Sequence, residues 1–319
     1  MARSTYTLHF WQRCCYGVLF ALIYGISLLP LRLLYVLSSV LFGLVYHVVG
    51  YRRQLVRRHL ASCFPEKSPA QLRSLEREFY RWFCDYIVET LKLFSMGKEE
   101  MRRRMVFKGT EAVDACLNRG QGVVLYLGHY CNWEWVSSIP LWVNCENFAG
   151  SQVYHVLENP VMDRLLLYPR HRMGSDNVAI MDVLRYIIGN HQQQRPVLMG
   201  FIADQVPFWN NIGDWLTFLH HENTPVLTGA ERIARKFDMA CVYIDIRRLR
   251  RGYYEAEFQL MTAAPKEQTD LSISRDYFRR LEQTINRQPA FWLWTHNRWK
   301  RTREEYDRMI DPKTGKLKL

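Results

Sequence analysis

The chain has 319 residues, 48% of them hydrophobic, enough for one large α/β domain with a sizeable core plus an appendage. Its eight cysteines show no CxxC pair and no zinc-ligand spacing, which excludes a cysteine-ligated zinc module and leaves them as reduced thiols facing a cytosolic compartment. The formal net charge of +12 implies an anionic partner: nucleic acid, an acidic lipid surface or an acidic protein.

The first fifty residues narrow that choice. From Cys14 to Gly50 the only formally charged residue is Arg32, and the stretch is interrupted at Pro30. It is not a cleavable signal peptide, because no small-residue cleavage site closes a single apolar core. Its second half, Leu33 to Gly50, would make a helix about 27 Å long, just short of a hydrocarbon core. Arg3 and Arg13 precede the segment and YRRQLVRRH follows it. Positive charge on both flanks predicts a helical hairpin with both ends cytoplasmic. A single tilted span and a buried soluble hairpin are the competing geometries. In either membrane geometry the basic run after Gly50 meets anionic headgroups. Residues 1–58 therefore read as a membrane anchor with a basic juxtamembrane segment, and 59–319 as the α/β domain.

Ser68, Pro69 and Gln71 make a helix start: an N-cap, proline at the first helical position and a capping-box partner. Leu72, Leu75, Phe79, Phe83, Ile87, Leu91 and Phe94 then step by three or four along one helix face. MRRRM at 101–105 reads as a solvated charged face. Beyond it the pattern changes to strands at 122–127, 148–156, 196–204, 240–248 and 253–261, with helical patterns near 133–141, 158–168 and 177–189. Alternating strands and helices predict an α/β fold with a central, mixed but largely parallel sheet flanked by helices. The last two strands, joined by LRRG, form an antiparallel hairpin. The tail at 311–319 reads as frayed and basic.

The stretch LYLGHYCNWEW, 125–135, is a strand, a turn and a helix start. Asn132 is a good N-cap and puts Glu134 in the first turn, where the helix dipole favours the carboxylate. His129, in the turn, could fold back on Glu134, which would fix the imidazole tautomer and stabilise the imidazolium. That is a general base with an orienter and no protein nucleophile. The spacing alone leaves open a satisfied loop histidine and an ordinary first-turn glutamate. Cys131 has no third partner for a Cys–His pair, and no third ligand is in place for zinc.

An anchored α/β chain with H-x4-[DE] after a buried strand resembles the lysophospholipid-acyltransferase superfamily, and further blocks resemble its lipid A biosynthesis (lauroyl/myristoyl, late) acyltransferases. These are YHVLENPVMDRLLLYPRHRMG, carrying Arg170 and Arg172; FIADQ, carrying Asp204; and PAFWLWTHNRWKRTR, carrying His296, Arg298 and Lys300. GYRRQLVRRHLASCFPEKS resembles the sequence that follows the family's anchor. The chain departs at Gly128, where asparagine is frequent, at Gln205–Val206, where His and Asp are usual, and at Asn297, where arginine is common.

The resemblance implies a cell inner-membrane enzyme, its catalytic domain on the cytoplasmic side, that moves a fatty acyl chain from a thioester to a hydroxyl of a lipid A precursor. His129 would be the general base and Glu134 its support. Arg170, Arg172, Asp204, His296, Arg298 and Lys300 would bind substrate, the arginines matching phosphate bidentately. The implied donor is an acyl carrier protein, whose acidity suits the basic chain, and no cofactor or metal is required. Another lipid acceptor is the nearest alternative. A non-catalytic membrane docking protein would not need the His129–Glu134 pair. Nucleic-acid binding ranks last, and no nucleic-acid partner is expected, since no recognition motif accompanies the charge.

Overall fold

The computed structural model describes residues 6–311, 314 and 317; Arg3 and most of the 311–319 tail lie outside them. The N-terminal part holds α1 (Phe10–Leu28), α2 (Leu31–Phe42) continuing as a π-helical stretch (Gly43–Val49), α3 (Arg53–Cys63) and α4 (Pro69–Lys92). Then come α5 (Lys98–Arg104), β1 (Met105–Lys108), α6 (Glu111–Asn118), β2 (Val123–Leu127), β3 (Ala149–Tyr154), α7 (Pro160–His171), β4 (Asp176–Ala179), α8 (Val183–Gln192) and β5 (Val197–Ile202). Next follow β6 (Asp214–Phe218), β7 (His221–Val226), α9 (Gly229–Phe237), β8 (Ala240–Arg250), β9 (Tyr253–Thr262), α10 (Ser272–Arg287) and α11 (Arg303–Met309).

Seven strands form one sheet in the order β1-β9-β8-β2-β5-β3-β4. Every pairing is parallel except the β8–β9 hairpin, so the sheet is mixed and mostly parallel, as the alternating pattern predicts. β2 is buried at all five positions because it is central and helices cover the sheet. The short strands β1 and β4 and the separate β6–β7 hairpin add to the expected set; the first two, of four residues each, carry too little alternation to stand out.

α4 begins with the expected capping box, Ser68 Oγ accepting from the Gln71 N–H and the Gln71 side chain accepting from the Ser68 N–H. It receives α2 on one face, burying Leu31, Leu34 and Ser38. The opposite face of α2 stays exposed at Leu33, Val36, Leu37 and Val40, as do Trp11, Val18 and Leu22 on α1. Leu31–Val49 is long and apolar enough to cross a membrane, with mean hydropathy 1.7. α3 runs through the 58/59 boundary and buries Val56, His59, Leu60 and Cys63.

Candidate active site

The sheet register builds the site. Leu127, the last residue of β2, pairs with Ile202, the last of β5. Two residues beyond each lie His129 and Asp204, side by side at the carboxyl ends of adjacent parallel strands, where open α/β sheets place their ligands. The His129 ring Nδ1–H donates to Asp204 Oδ1 at 2.6 Å, and the His129 backbone N–H donates to Oδ2 at 2.8 Å. The Trp292 indole donates to the same Oδ2 at 2.7 Å. Burial alone would push the Asp204 carboxyl up, but the neighbouring His129 and these hydrogen bonds hold it down, at about 2.

This corrects the expected pairing: the carboxylate that fixes the His129 tautomer is Asp204. Glu134 accepts from Arg170, from Nε at 2.7 Å and from Nη2 at 2.6 Å, in a bidentate pair. Burial raises the Glu134 carboxyl, and Arg170, with a smaller contribution from His129, more than reverses it. Asp204 contacts His129, whereas the family resemblance implied substrate binding for it.

The expected α-helix after Asn132 is a 3-10 helix, Trp135–Leu141, with Pro140 inside it. Ser137 and Ser138 turn their hydroxyls back onto the carbonyls of Glu134 and Trp135, competing with an α-helical ladder. Asn132 still accepts the Trp135 N–H at 3.2 Å. Cys131 is buried with φ 51, and burial pushes its thiol well up, which removes it as a nucleophile.

The closing block clamps this loop. Tyr130 and Trp292 form an antiparallel bridge, with the Cys131 N–H on the Phe291 carbonyl at 2.8 Å and the Leu293 N–H on the His129 carbonyl at 3.1 Å. His296, expected on substrate, accepts the Val206 N–H at Nε2 and so holds the segment after Asp204. Arg298 is fully buried, donates to the Pro225 carbonyl at 2.8 Å, and has its pKa lowered by burial to about 10. Arg172 donates to the carbonyls of Leu93 and Met96 at the end of α4. Each of these three thus has a backbone partner, although Arg298 Nε and Nη1 are buried with no hydrogen-bond partner among the described residues. Lys300 is exposed and, like them, does not line the cavity.

That cavity, about 290 Å³, is lined by His129, Glu134, Arg170 and Gln205 together with apolar side chains such as Leu127, Ile139, Leu167 and Leu198. Gln205 Nε2 lies 3.1 Å from His129 Nε2, so with Nδ1 protonated the amide donates to the basic nitrogen. Trp133 meets the imidazole edge-on, ring centroids 5.1 Å apart. Trp292 and Gln205 had no role assigned from sequence, although both lie within the quoted blocks. Among the described residues no cluster of His, Cys, Asp and Glu is placed to hold a metal ion.

The model of the bacterial lipid A biosynthesis acyltransferase family matches residues 6–301. The chain belongs to that family. A curated relative, lipid A biosynthesis acyltransferase 2 of Shigella flexneri, is 24% identical over 117 residues, which is 36% of this chain and 36% of the relative's own length. The match to the lipid A acyltransferase family therefore spans nearly the whole chain, while the match to that relative spans about a third of it.

Proposed function

We propose that this chain transfers a fatty acyl group from an acyl thioester, carried by an acyl carrier protein, to a hydroxyl of a lipid A precursor. The observation that carries the reading is the His129–Asp204 pair: the tautomer is fixed at Nδ1, and the unprotonated Nε2 borders a cavity lined largely by apolar side chains. His129 Nε2 takes the proton of the acceptor hydroxyl as its oxygen attacks the thioester carbonyl. Asp204, held ionised, stabilises the imidazolium without taking the proton itself. Collapse of the tetrahedral intermediate breaks the C–S bond, and His129 returns the proton to the leaving thiolate. The products are an ester and a free thiol, and no acyl-enzyme forms.

Arg170 keeps its fork on Glu134, and its Nη1 has no hydrogen-bond partner among the described residues. It supplies fixed positive charge to the acceptor or to the developing oxyanion, the role for which preorganised donors are most effective. The apolar lining behind the base accepts the acyl chain.

Residues 1–58 hold the enzyme on the inner membrane with the site on the cytoplasmic side. One face of α2 is docked on α4 and the other is apolar and exposed, which favours a hairpin seated in the leaflet over a free-standing span. The tip of the β8–β9 hairpin supports the same surface: Leu249 is 61% exposed there, and Arg251 donates to the Tyr35 carbonyl of α2. The test is reconstitution of purified enzyme with acyl carrier protein thioester and lipid A precursor, with lipids read by mass spectrometry. One added acyl chain, lost in His129→Ala, is the expected result. No transfer to any lipid A precursor by folded wild type would overturn it.

A further inference from the structure

Glu89, on α4, is fully buried and does not line the cavity. Its Oε1 accepts from the Tyr35 hydroxyl of α2 at 2.8 Å. Its Oε2 accepts from the Asn132 side-chain amide at 2.7 Å and from the Tyr254 hydroxyl of β9 at 2.8 Å. Its backbone carbonyl accepts from the Trp135 indole at 3.2 Å. A buried carboxylate is costly unless such donors satisfy it, and a fully satisfied network fixes the groups that compose it.

What it fixes is the loop that carries the chemistry. Asn132 lies between His129 and Glu134 and also accepts the Trp135 N–H. Cys131 beside it is in the left-handed region, which a residue other than glycine holds only when its surroundings impose it. One turn earlier on α4, Asp85 repeats the link to α2, accepting from Ser38 Oγ at 2.7 Å and from Arg248 at 2.9 Å. The same face of α2 thus contacts two buried acids, and one of them holds the active-site loop.

We propose that Glu89 is a positioning residue for the loop from His129 to Trp135, and that through Tyr35 it makes the geometry of that loop depend on the seating of α2. The N-terminal helix is then a part of the active-site apparatus as well as an anchor. The activity readout below rests on the acyl-transfer reading; the exchange readout does not.

The test uses the full chain in detergent micelles, with Tyr35→Phe, Glu89→Ala and Glu89→Gln. It measures amide hydrogen exchange over 129–135, initial rates at varied donor and acceptor concentrations, and thermal melts. Tyr35→Phe removes one hydrogen bond and should raise exchange in 129–135 about five-fold, leave β2 and α10 unchanged, and lower kcat with KM unaltered. Glu89→Ala should exceed it. Glu89→Gln can accept from Asn132 and donate to Tyr35, and should return both readouts to within about two-fold of wild type. If Glu89→Ala does not fold, the other two variants decide. Unchanged loop exchange in Tyr35→Phe overturns the coupling. Exchange rising equally across β2 and α10, with rates falling in step with melting temperature, reduces Glu89 to a structural residue. If folded wild type acylates no lipid A precursor, the function reading fails while the exchange arm still decides this one.

Discussion

Asp204 holds His129 twice, its Oδ1 on the ring Nδ1–H at 2.6 Å and its Oδ2 on the backbone N–H at 2.8 Å. One carboxylate thereby fixes the tautomer of the imidazole and the position of the peptide that bears it. The Trp292 indole fills a further lone pair, so the carboxylate cannot rotate without losing three bonds. The glycine before the histidine fits this arrangement: a Cβ at Gly128 would lie 2.6 Å from Leu281 Cδ1 and 3.2 Å from Asp204 Oδ2.

Asp204→Asn should lower kcat by about 10²- to 10⁴-fold, because an amide can present its NH2 to Nδ1 and favour the wrong tautomer. The melting temperature should change little, since the shape is conserved. Trp292→Phe leaves Asp204 one donor short and should be milder, near ten-fold. Steady-state kinetics beside thermal melts check both; full activity in folded Asp204→Asn would remove it from the mechanism.

The Glu134–Arg170 pair predicts a different signature. Removing Arg170 alone leaves a buried carboxylate uncompensated, at a cost of about 3 kcal/mol or more. Arg170→Ala should therefore lose both stability and activity. Arg170→Lys keeps the charge but not the fork and should remain nearly as impaired in rate. Glu134→Gln combined with Arg170→Met removes both charges and should recover most of the stability without the activity. Recovery of activity in that double variant would show the pair to be scaffold only.

The fold was legible because its central strands are continuous apolar runs and its helices carry clear periodicity; the short strands β1 and β4 were not. His129 was legible as a strand-end histidine. Its true partner was not, because Asp204 lies 75 residues away and is brought beside it only by the Leu127–Ile202 register. Local spacing favoured Glu134, which faces Arg170 instead. Arg298 of the closing block shows the same limit, because charge is visible in a sequence and burial is not: it is 0% exposed.

Acid should destabilise the fold through two histidines. Burial lowers both His59 and His296 from the ordinary 6.5 to about 4. Val206 donates its N–H to His296 Nε2, which protonation would block. Between those pH values the unfolded chain binds protons the folded chain does not, so stability is complete above about pH 6.5 and falls as pH drops toward 4, by roughly 2–3 kcal/mol for each group. Asp204, held near 2, stays ionised throughout this window. Chemical denaturation from pH 7 to 4 should show the decline. His296→Gln, whose amide oxygen can still accept from Val206, should remove about one proton's worth of the slope. An unchanged slope would exclude His296 as a contributor.

Acyl-chain length should be set where the cavity meets the sheet, and Gly200 is the position to test. It sits on β5, paired with Leu125 of β2 and Gln152 of β3, and lines the cavity without a side chain of its own. A Cβ there meets only ordinary contacts, 3.8 Å to the Ser151 carbonyl and 3.9 Å to Gln152 Cβ and Leu127 Cδ2. Gly150, on the adjacent strand β3, would instead press on Pro140 at 3.0 Å, so substitution there confuses strain with occupancy. Gly200→Ala should fold at least as well as wild type, since alanine costs a strand less backbone entropy than glycine. It takes volume from the chain, and Gly200→Leu takes more. Each methylene displaced from the cavity is worth about 0.8 kcal/mol, so preference should shift toward shorter acyl donors by roughly four-fold per carbon excluded. Competition between donors of different length, read by mass spectrometry of the product, measures the shift. If both variants lower all donors equally while melting like wild type, the chain does not run past Gly200 and lies elsewhere.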